Sequence, residues 1–276
     1  MHRSSAAYRI VGNFVVILGL FATLLPIAWM VLSSFKAPSD VLSSGLNPFS
    51  RHPTISNYVN VFDKAPIVRQ LFNSVVFAGG VTLGQLVISV PAAYAFSQTR
   101  SRIAGFVFSA LLLSLPIPFV VYYVPNYLLL SKLGLLDTFA ALILPQLANA
   151  YALFLIRQHF ISFPASIIEA ARVDGCRELD ILTRIVAPAS LGPIAAAAVY
   201  IFIMTWNEYV WPLLVTSSAD MQVIQVSVAS FASSEGGSAW GSILAAASIA
   251  SVPTILLYIV LRKYVIAAFI ESAVKG

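Results

Sequence analysis

The chain has 276 residues, of which 59% are hydrophobic and only 10% charged, and its formal net charge is +5. Soluble domains carry about 25% charged residues, so these figures and a mean hydropathy of +0.88 exclude an ordinary water-soluble domain. The basic excess reads as membrane topology and not as a nucleic-acid surface.

Apolar runs of about 20 residues match a bilayer-spanning helix, whereas a membrane barrel alternates over about ten-residue segments. The class is therefore an all-α integral membrane protein. Residues 10–35 are free of charge and form the first span. The apolar core of a cleaved signal peptide is only about 7–15 residues long, so this helix is read as retained. Residues 36–69 form a polar loop with Pro38, Pro48, Pro53 and Pro66, and a short helix is expected at 56–62. The second span is 70–99, followed by a turn with Arg100 and Arg102. The third is 103–131; its Pro116, Pro118 and Pro125 each remove a backbone donor and favour a kink. The fourth is 138–156 and carries Pro145, Gln146 and Asn149. A polar stretch, 157–190, precedes the fifth span, which runs from 191 to about 215. Residues 217–238 read as a Ser- and Gly-rich loop, and 239–261 as the sixth span.

Six spans place both termini on one side. That side holds Arg3, Arg9, Arg100, Arg102, Arg157, Arg172, Arg177, Arg184, Arg262, Lys263 and Lys275; the other holds Lys36, Arg51, Lys64, Arg69 and Lys132. The positive-inside rule puts the richer side, with both termini and the polar stretch, in the cytoplasm.

Within that stretch, Pro164 suits the first turn of a helix, and Ser166 and Glu169 have the spacing of a capping box. Ile167, Ile168 and Ala171 can share one face. Gly175 is a natural stop, because glycine adopts the left-handed conformation cheaply. A helix is expected over 165–174 and a second over 177–186, with Pro188 beyond. As a bare charge pattern this is a solvated loop helix joining two spans.

The spacing Glu169-Ala170-Ala171, three residues, Gly175, nine residues, Ile185, two residues, Pro188 resembles the EAA loop of binding-protein-dependent ABC importer permeases. Ala187 departs from the pattern, standing where that family usually has Leu. Ser33-Ser34-Phe35-Lys36, Pro53-Thr54-Ile55-Ser56-Asn57-Tyr58, Leu71-Phe72-Asn73-Ser74 and Trp206-Asn207-Glu208-Tyr209 are similar to the maltose/glycerol-3-phosphate-type carbohydrate branch. The resemblance implies a type I importer permease core, a single domain over 1–276 in the cytoplasmic (inner) membrane. It implies that Glu169, Ala170, Ala171, Asp174, Gly175 and Pro188 seat a coupling helix on a separate ATPase. It also implies three kinds of partner: a second, non-identical permease, two ATPase subunits and an extracytoplasmic solute-binding protein.

No lysine in the chain is followed by Ser or Thr, so no Walker A loop can form. ATP and magnesium are expected on the partner, with no cofactor and no catalysis on this chain. The lone cysteine, Cys176, allows no internal disulfide, and His2, His52 and His159 are too dispersed for a metal pair. Glu208 is the one acidic residue within the apolar spans. Intramembrane acids are costly and point to function. Two readings are open: an interfacial belt with Trp206 and Trp211 at headgroup level, or a solute path lined by Asn207, Glu208 and Tyr209, with Tyr122, Tyr123 and Asn126 from the third span. Gln85, Gln146 and Asn149 suit interhelical hydrogen bonds. The competing class is an ion-driven secondary carrier, but the inverted repeat common in such carriers is not evident.

Overall fold

The computed structural model describes residues 6–37, 40–41, 45, 47, 49–50, 52–234 and 240–274. Of the charges used for topology, Arg3, Arg51 and Lys275 lie outside them. The described residues are mostly helical and form no strand beyond one antiparallel bridge between Lys36 and Pro53. Contacts divide the chain into two compact units, Met1–Ile67 with Ser227–Val252 and Val68–Val226 with Pro253–Gly276.

The first unit contains α1 (Ala6–Ser33) and α2 (Ser56–Lys64). Phe14, Phe21, Leu24 and Leu25 of α1 are all exposed. So much uncovered apolar surface is stable only against lipid or another apolar surface. Beyond α1 the chain is tied by polar bonds. Asn57 donates its amide to the carbonyls of Ser34 and Lys36, each at 2.8 Å, and Thr54 N–H donates to Phe35 O at 2.7 Å. Tyr58 bonds Ser34 Oγ at 2.7 Å and packs on Phe35. Two sequence motifs 20 residues apart, 33–36 and 53–58, thus form one knot. A Cβ added at Gly241 would strike the Asn57 amide, so the start of helix α13 (Trp240–Val274) passes close over the same residue. Residues 217–238, expected to be loop, contain helix α12 (Ile224–Ser234), within which Ser230 Oγ donates to Ser227 O at 2.8 Å.

The second unit starts with most of α3 (Ile67–Gln98). The run 103–131, expected as one span, is divided. Helix α4 (Arg102–Leu112) stops before Pro116, turns follow, then a 3-10 turn (Phe119–Tyr122), then α5 (Tyr123–Lys132). At about 1.5 Å per residue, α4 is too short for a hydrocarbon core of about 30 Å. The fourth expected span is also broken. Helix α6 (Phe139–Ile143) ends in a 3-10 turn at Leu144–Gln146, and α7 (Ala150–Ile161) resumes at an angle of 49°. Helix α8 (Ala165–Val173) leads to α9 (Glu178–Ala189), which bends by 80° into α10 (Leu191–Trp206). The fifth expected span stops at Trp206, and α11 (Val210–Val215) follows. Among the described residues, three helices are long and apolar enough to cross a membrane, or up to five spans if each bent pair is one.

Between helices in lipid there is little hydrophobic drive, so close packing and polar bonds hold the assembly. Gly80 and Gly84, four residues apart on α3, supply the close packing. A Cβ at Gly80 would lie 2.7 Å from Ile143 Cδ1, and one at Gly84 would overlap Leu147. Two apolar clusters flank this contact. One holds Phe77, Tyr123, Leu142 and Trp211 near the breaks in α6–α7 and α10–α11. The other holds Tyr94, Phe108, Phe160, Ile168 and Ile181 under the polar hairpin.

Candidate functional site

The polar hairpin is built by α8, a glycine turn and α9. Helix α8 begins at Ala165 after Pro164, and no side chain caps it. The capping box expected from Ser166 and Glu169 is not formed, because Ser166 already lies inside the first turn. Ile168 and Ala171 face the core, whereas Ile167 is 45% exposed; of the three residues expected on one apolar face, it is the one that points outward. At the other end Gly175 has φ of +82°. Its N–H donates to Arg172 O at 3.1 Å and Cys176 N–H donates to Ala171 O at 3.0 Å. This paired arrangement closes a helix on a left-handed residue. Glu169, Ala170, Asp174 and Gly175 all lie on the exposed side.

Arg172 and Glu178 fasten the hairpin across its turn, with Nε to Oε1 at 2.7 Å and Nη2 to Oε2 at 3.2 Å. Tyr94 of α3 donates to the same carboxylate, at 2.6 Å from Oε2. The Arg172 bond first, and the Tyr94 hydroxyl second, hold the Glu178 carboxyl below the usual range. The Glu178 bond in turn raises Arg172. In α9 the turn over Leu182–Val186 is widened, and Ala187 N–H reaches back to Leu182 O. Pro188 follows; it has no N–H to give, and its ring would crowd a carbonyl one regular turn back. Widening the preceding turn relieves that conflict. Ala187 packs against the hairpin's apolar cluster. Beside α8 a cleft of about 510 Å³ is lined by Arg100, Arg157, Glu169 and Arg172. Arg157 is held by Phe96 O at 3.1 Å and lies 4.0 Å over the Phe108 ring.

A second polar site lies at the helix breaks. Asn149 Oδ1 accepts from Tyr151 N–H at 2.8 Å and restarts α7. Glu208 sits in the gap between α10 and α11, where its Oε1 accepts from Tyr123 Oη at 3.0 Å and Trp211 N–H at 3.2 Å. Gln85 of α3 donates to Gln146 O at 2.6 Å, an interhelical bond of the kind expected. Around them is a cavity of about 250 Å³ whose lining includes Gln85, Gln146, Asn149, Tyr200, Thr205 and Glu208. An adjoining cavity of about 430 Å³ is lined by Tyr122 and Asn126 and shares Phe119, Ala148 and Asn149 with the first. Of the residues expected along a solute path, Glu208 lines one of these adjoining cavities and Tyr122 and Asn126 the other. Asn207 and Tyr209 line neither cavity. Asn207 is exposed and donates to Ile203 O of its own helix at 2.7 Å, and Tyr209 is exposed on the break. The headgroup belt is not formed either: Trp206 and Trp211 are buried, and Trp211 Nε1 donates to Ala141 O at 3.2 Å.

Of the two neighbouring tyrosines expected as lining, the 3-10 turn at 119–122 gives Tyr122 to the cavity wall and Tyr123 to Glu208. The Gly80-x-x-x-Gly84 spacing was the readable signal for the close approach of α3 to the broken segment.

The family described as binding-protein-dependent transport system inner membrane component matches residues 67–269. The lactose transport system permease protein LacG of Rhizobium radiobacter is 31% identical over 263 residues, covering 95% of each chain. The sn-glycerol-3-phosphate transport system permease protein UgpE of Brucella abortus (strain 2308) is 29% identical, covering 96% of each. The fold is similar to that of a chain from the crystal structure of a bacterial ABC transporter involved in the import of the acidic polysaccharide alginate. There the TM-score is 0.75 at 23% identity, with 96% of this chain and 99% of that one covered.

Proposed function

The chain belongs to the inner membrane component family of binding-protein-dependent transport systems, and on that premise we propose how it works and what it carries. It is the non-catalytic permease subunit of an ATP-driven importer in the inner membrane. Its solute is carbohydrate-like, of the sugar or glycerol-3-phosphate type, as the names of its relatives suggest. It acts as one permease domain of six spans with both termini cytoplasmic, two spans being broken pairs and the third the divided run 103–131. A second, non-identical permease completes the pathway, an extracytoplasmic binding protein delivers solute, and two ATPase subunits hold ATP and magnesium.

The hairpin α8–α9 carries the reading. It is polar and solvent-facing, is stopped by a left-handed glycine, and is fastened to membrane helix α3 through Tyr94 and Glu178. A rigid exposed knob tied to a membrane helix is what a chain without its own nucleotide site needs to receive force from a motor. Glu169, Ala170, Ala171, Asp174, Gly175 and Pro188 form the seat. Closure of the ATPases on ATP would shift the permease between two populated states through this seat.

The test is co-purification from detergent. The importer reading expects a P-loop ATPase to come with the chain, and solute uptake to require ATP. Uptake by the purified chain alone under an ion gradient would support the secondary-carrier class instead.

A further inference from the structure

The cleft of about 510 Å³ beside α8 carries an excess of positive charge. Its lining includes Arg100, Arg157 and Arg172, and a single acid, Glu169. Arg172 is committed to Glu178 across the turn of the hairpin. Among the described residues, neither Arg100 nor Arg157 has an acidic partner. Their two guanidinium groups against the one Glu169 carboxylate leave a positive charge for a ligand to balance.

Arg157 is the built part of the cleft. Its Nε donates to Phe96 O at 3.1 Å, and its guanidinium lies 4.0 Å over the Phe108 ring. These contacts fix the plane of the group. They leave both Nη groups without a hydrogen bond among the described residues. A planar guanidinium held in this way suits paired hydrogen bonds to a phosphate. Thr99 adds a hydroxyl next to the exposed Arg100.

Position selects the source of that phosphate. The cleft takes Gln98 from the last turn of α3, and Arg157, Phe160 and Ile161 from the end of α7. Helix α4 begins two residues beyond Arg100 and carries Phe108 under Arg157. On the same helix Ile103 is 76% and Phe106 75% exposed, and Ile161 in the cleft lining is 51% exposed. Uncovered apolar surface of this kind calls for an apolar partner. An acyl chain can lie along α4 while its headgroup enters the cleft. Basic pockets between spanning helices on the cytoplasmic side hold anionic headgroups in this way. A soluble phosphate would use the arginines and none of the apolar surface. The volume lies within the roughly 300–1,000 Å³ of small-molecule sites, enough for a phosphoglycerol group, whose hydroxyls can donate to Glu169.

We infer that the cleft between the ends of α3 and α7 and helix α8 binds the headgroup phosphate of an anionic phospholipid such as phosphatidylglycerol, through Arg100 and Arg157. Ile168, Glu169 and Arg172 of α8 belong to the same lining, so the bound headgroup braces the polar hairpin against the membrane helices. The cytoplasmic placement and the bracing rest on the importer reading above; the binding is measured without transport.

The experiment uses the whole importer complex, purified in detergent and titrated with short-chain phosphatidylglycerol, short-chain phosphatidylcholine or inorganic phosphate, with bound lipid counted by native mass spectrometry. Each arginine near an anionic headgroup is worth about fivefold in affinity. The preference for phosphatidylglycerol over phosphatidylcholine should fall about fivefold in Arg100→Gln, and at least as far in Arg157→Gln. Arg102→Gln, at an exposed arginine of α4 outside the cleft lining, should leave it unchanged. Arg157→Gln also removes a packing contact, so Arg100→Gln carries the test if that variant fails to assemble. An unchanged preference in Arg100→Gln overturns the inference. An equal loss in Arg102→Gln also overturns it, and assigns the preference to diffuse surface charge. Displacement of the lipid by inorganic phosphate at equal concentration overturns the lipid source. In nanodiscs, solute moved per ATP hydrolysed should fall severalfold when phosphatidylcholine replaces phosphatidylglycerol; an unchanged ratio overturns the bracing. Absence of binding-protein-stimulated hydrolysis in the wild type counts against the importer reading instead, and leaves the lipid binding standing.

Discussion

Tyr94 of α3 donates a 2.6 Å hydrogen bond to Glu178 of α9, and Glu178 is in turn held by Arg172 of α8. One carboxylate thus joins three helices, two in the polar hairpin and one that is long and apolar enough to span the membrane. Tyr94→Phe removes the membrane-side bond and leaves the ion pair. The carboxylate is more than half exposed, so solvent replaces part of what is lost, and the bond is worth about 1 kcal/mol. The expected outcome is a roughly fivefold fall in solute moved per ATP hydrolysed, with the complex intact. Unchanged stoichiometry in reconstituted vesicles would show that force does not pass through this tyrosine.

Gly175 and Glu169 test the seat itself. With φ at +82°, Gly175→Val puts a β-branched residue where non-glycine residues cost about 1–2 kcal/mol, and so loosens the turn. Glu169→Lys reverses the one acidic group among Arg100, Arg157 and Arg172. Both variants should insert normally yet lose transport while basal hydrolysis persists. If uptake and stimulated hydrolysis both survive in each, the hairpin is not the coupling element.

Gly84 provides a check on how the broken segment is held. Any Cβ there overlaps Leu147, the residue that directly follows the 3-10 turn holding Gln146. The obstacle is a side-chain tip, so Gly84→Ala should cost only about 1 kcal/mol, whereas Gly84→Leu cannot be absorbed by a rotamer change. The larger variant should lower the melting temperature of the detergent-purified chain by several degrees more than the smaller. Equal melting of both would refute the close approach.

The hydrophobic runs made the class of the protein legible, and the 165–174 helix with its glycine stop was readable because both rest on local chemistry. What failed depends on neighbours. The capping box at Ser166 and Glu169 obeyed the spacing rule, but Pro164 took the cap position and moved the start by one to two residues. In the run 103–131 the prolines signalled a kink, but not that the helix stops at Leu112 and resumes only at Tyr123. Helix α12 was missed because Ser- and Gly-rich composition outweighed the apolar residues Val226 and Phe231, which are buried. At the cavity, Glu208 stood out as a lone intramembrane acid and Tyr123 as a lining candidate, but only the fold joins the two across 85 residues and sets Gln85 on the same wall.

Asp137 offers a prediction in pH. It closes the connection before α6 with φ of +60°, and its Oδ1 accepts from the N–H groups of Ser217 and Ser218 at 2.9 and 3.1 Å. Partial burial pushes its carboxyl up, but the bonds from the Ser218 side chain and from the two backbone N–H groups outweigh this and hold it below the usual carboxylate range. Between the native and unfolded values the unfolded chain binds more protons, so stability rises with pH there. The contribution is complete above the unfolded value of about 3.9 and is lost as pH falls through the depressed native one. Hydrogen bonds to a charged group contribute about 1.5–3 kcal/mol when well shielded, and partial exposure reduces this to roughly 1 kcal/mol. Asp137→Asn tolerates the left-handed backbone and can still accept, so it isolates the charge. Thermal unfolding of the purified chain, followed by tryptophan fluorescence, should place the variant a few degrees below wild type at pH 7, with the gap closing below about pH 4. A gap that persists at pH 3, or widens there, would remove the carboxylate from the account.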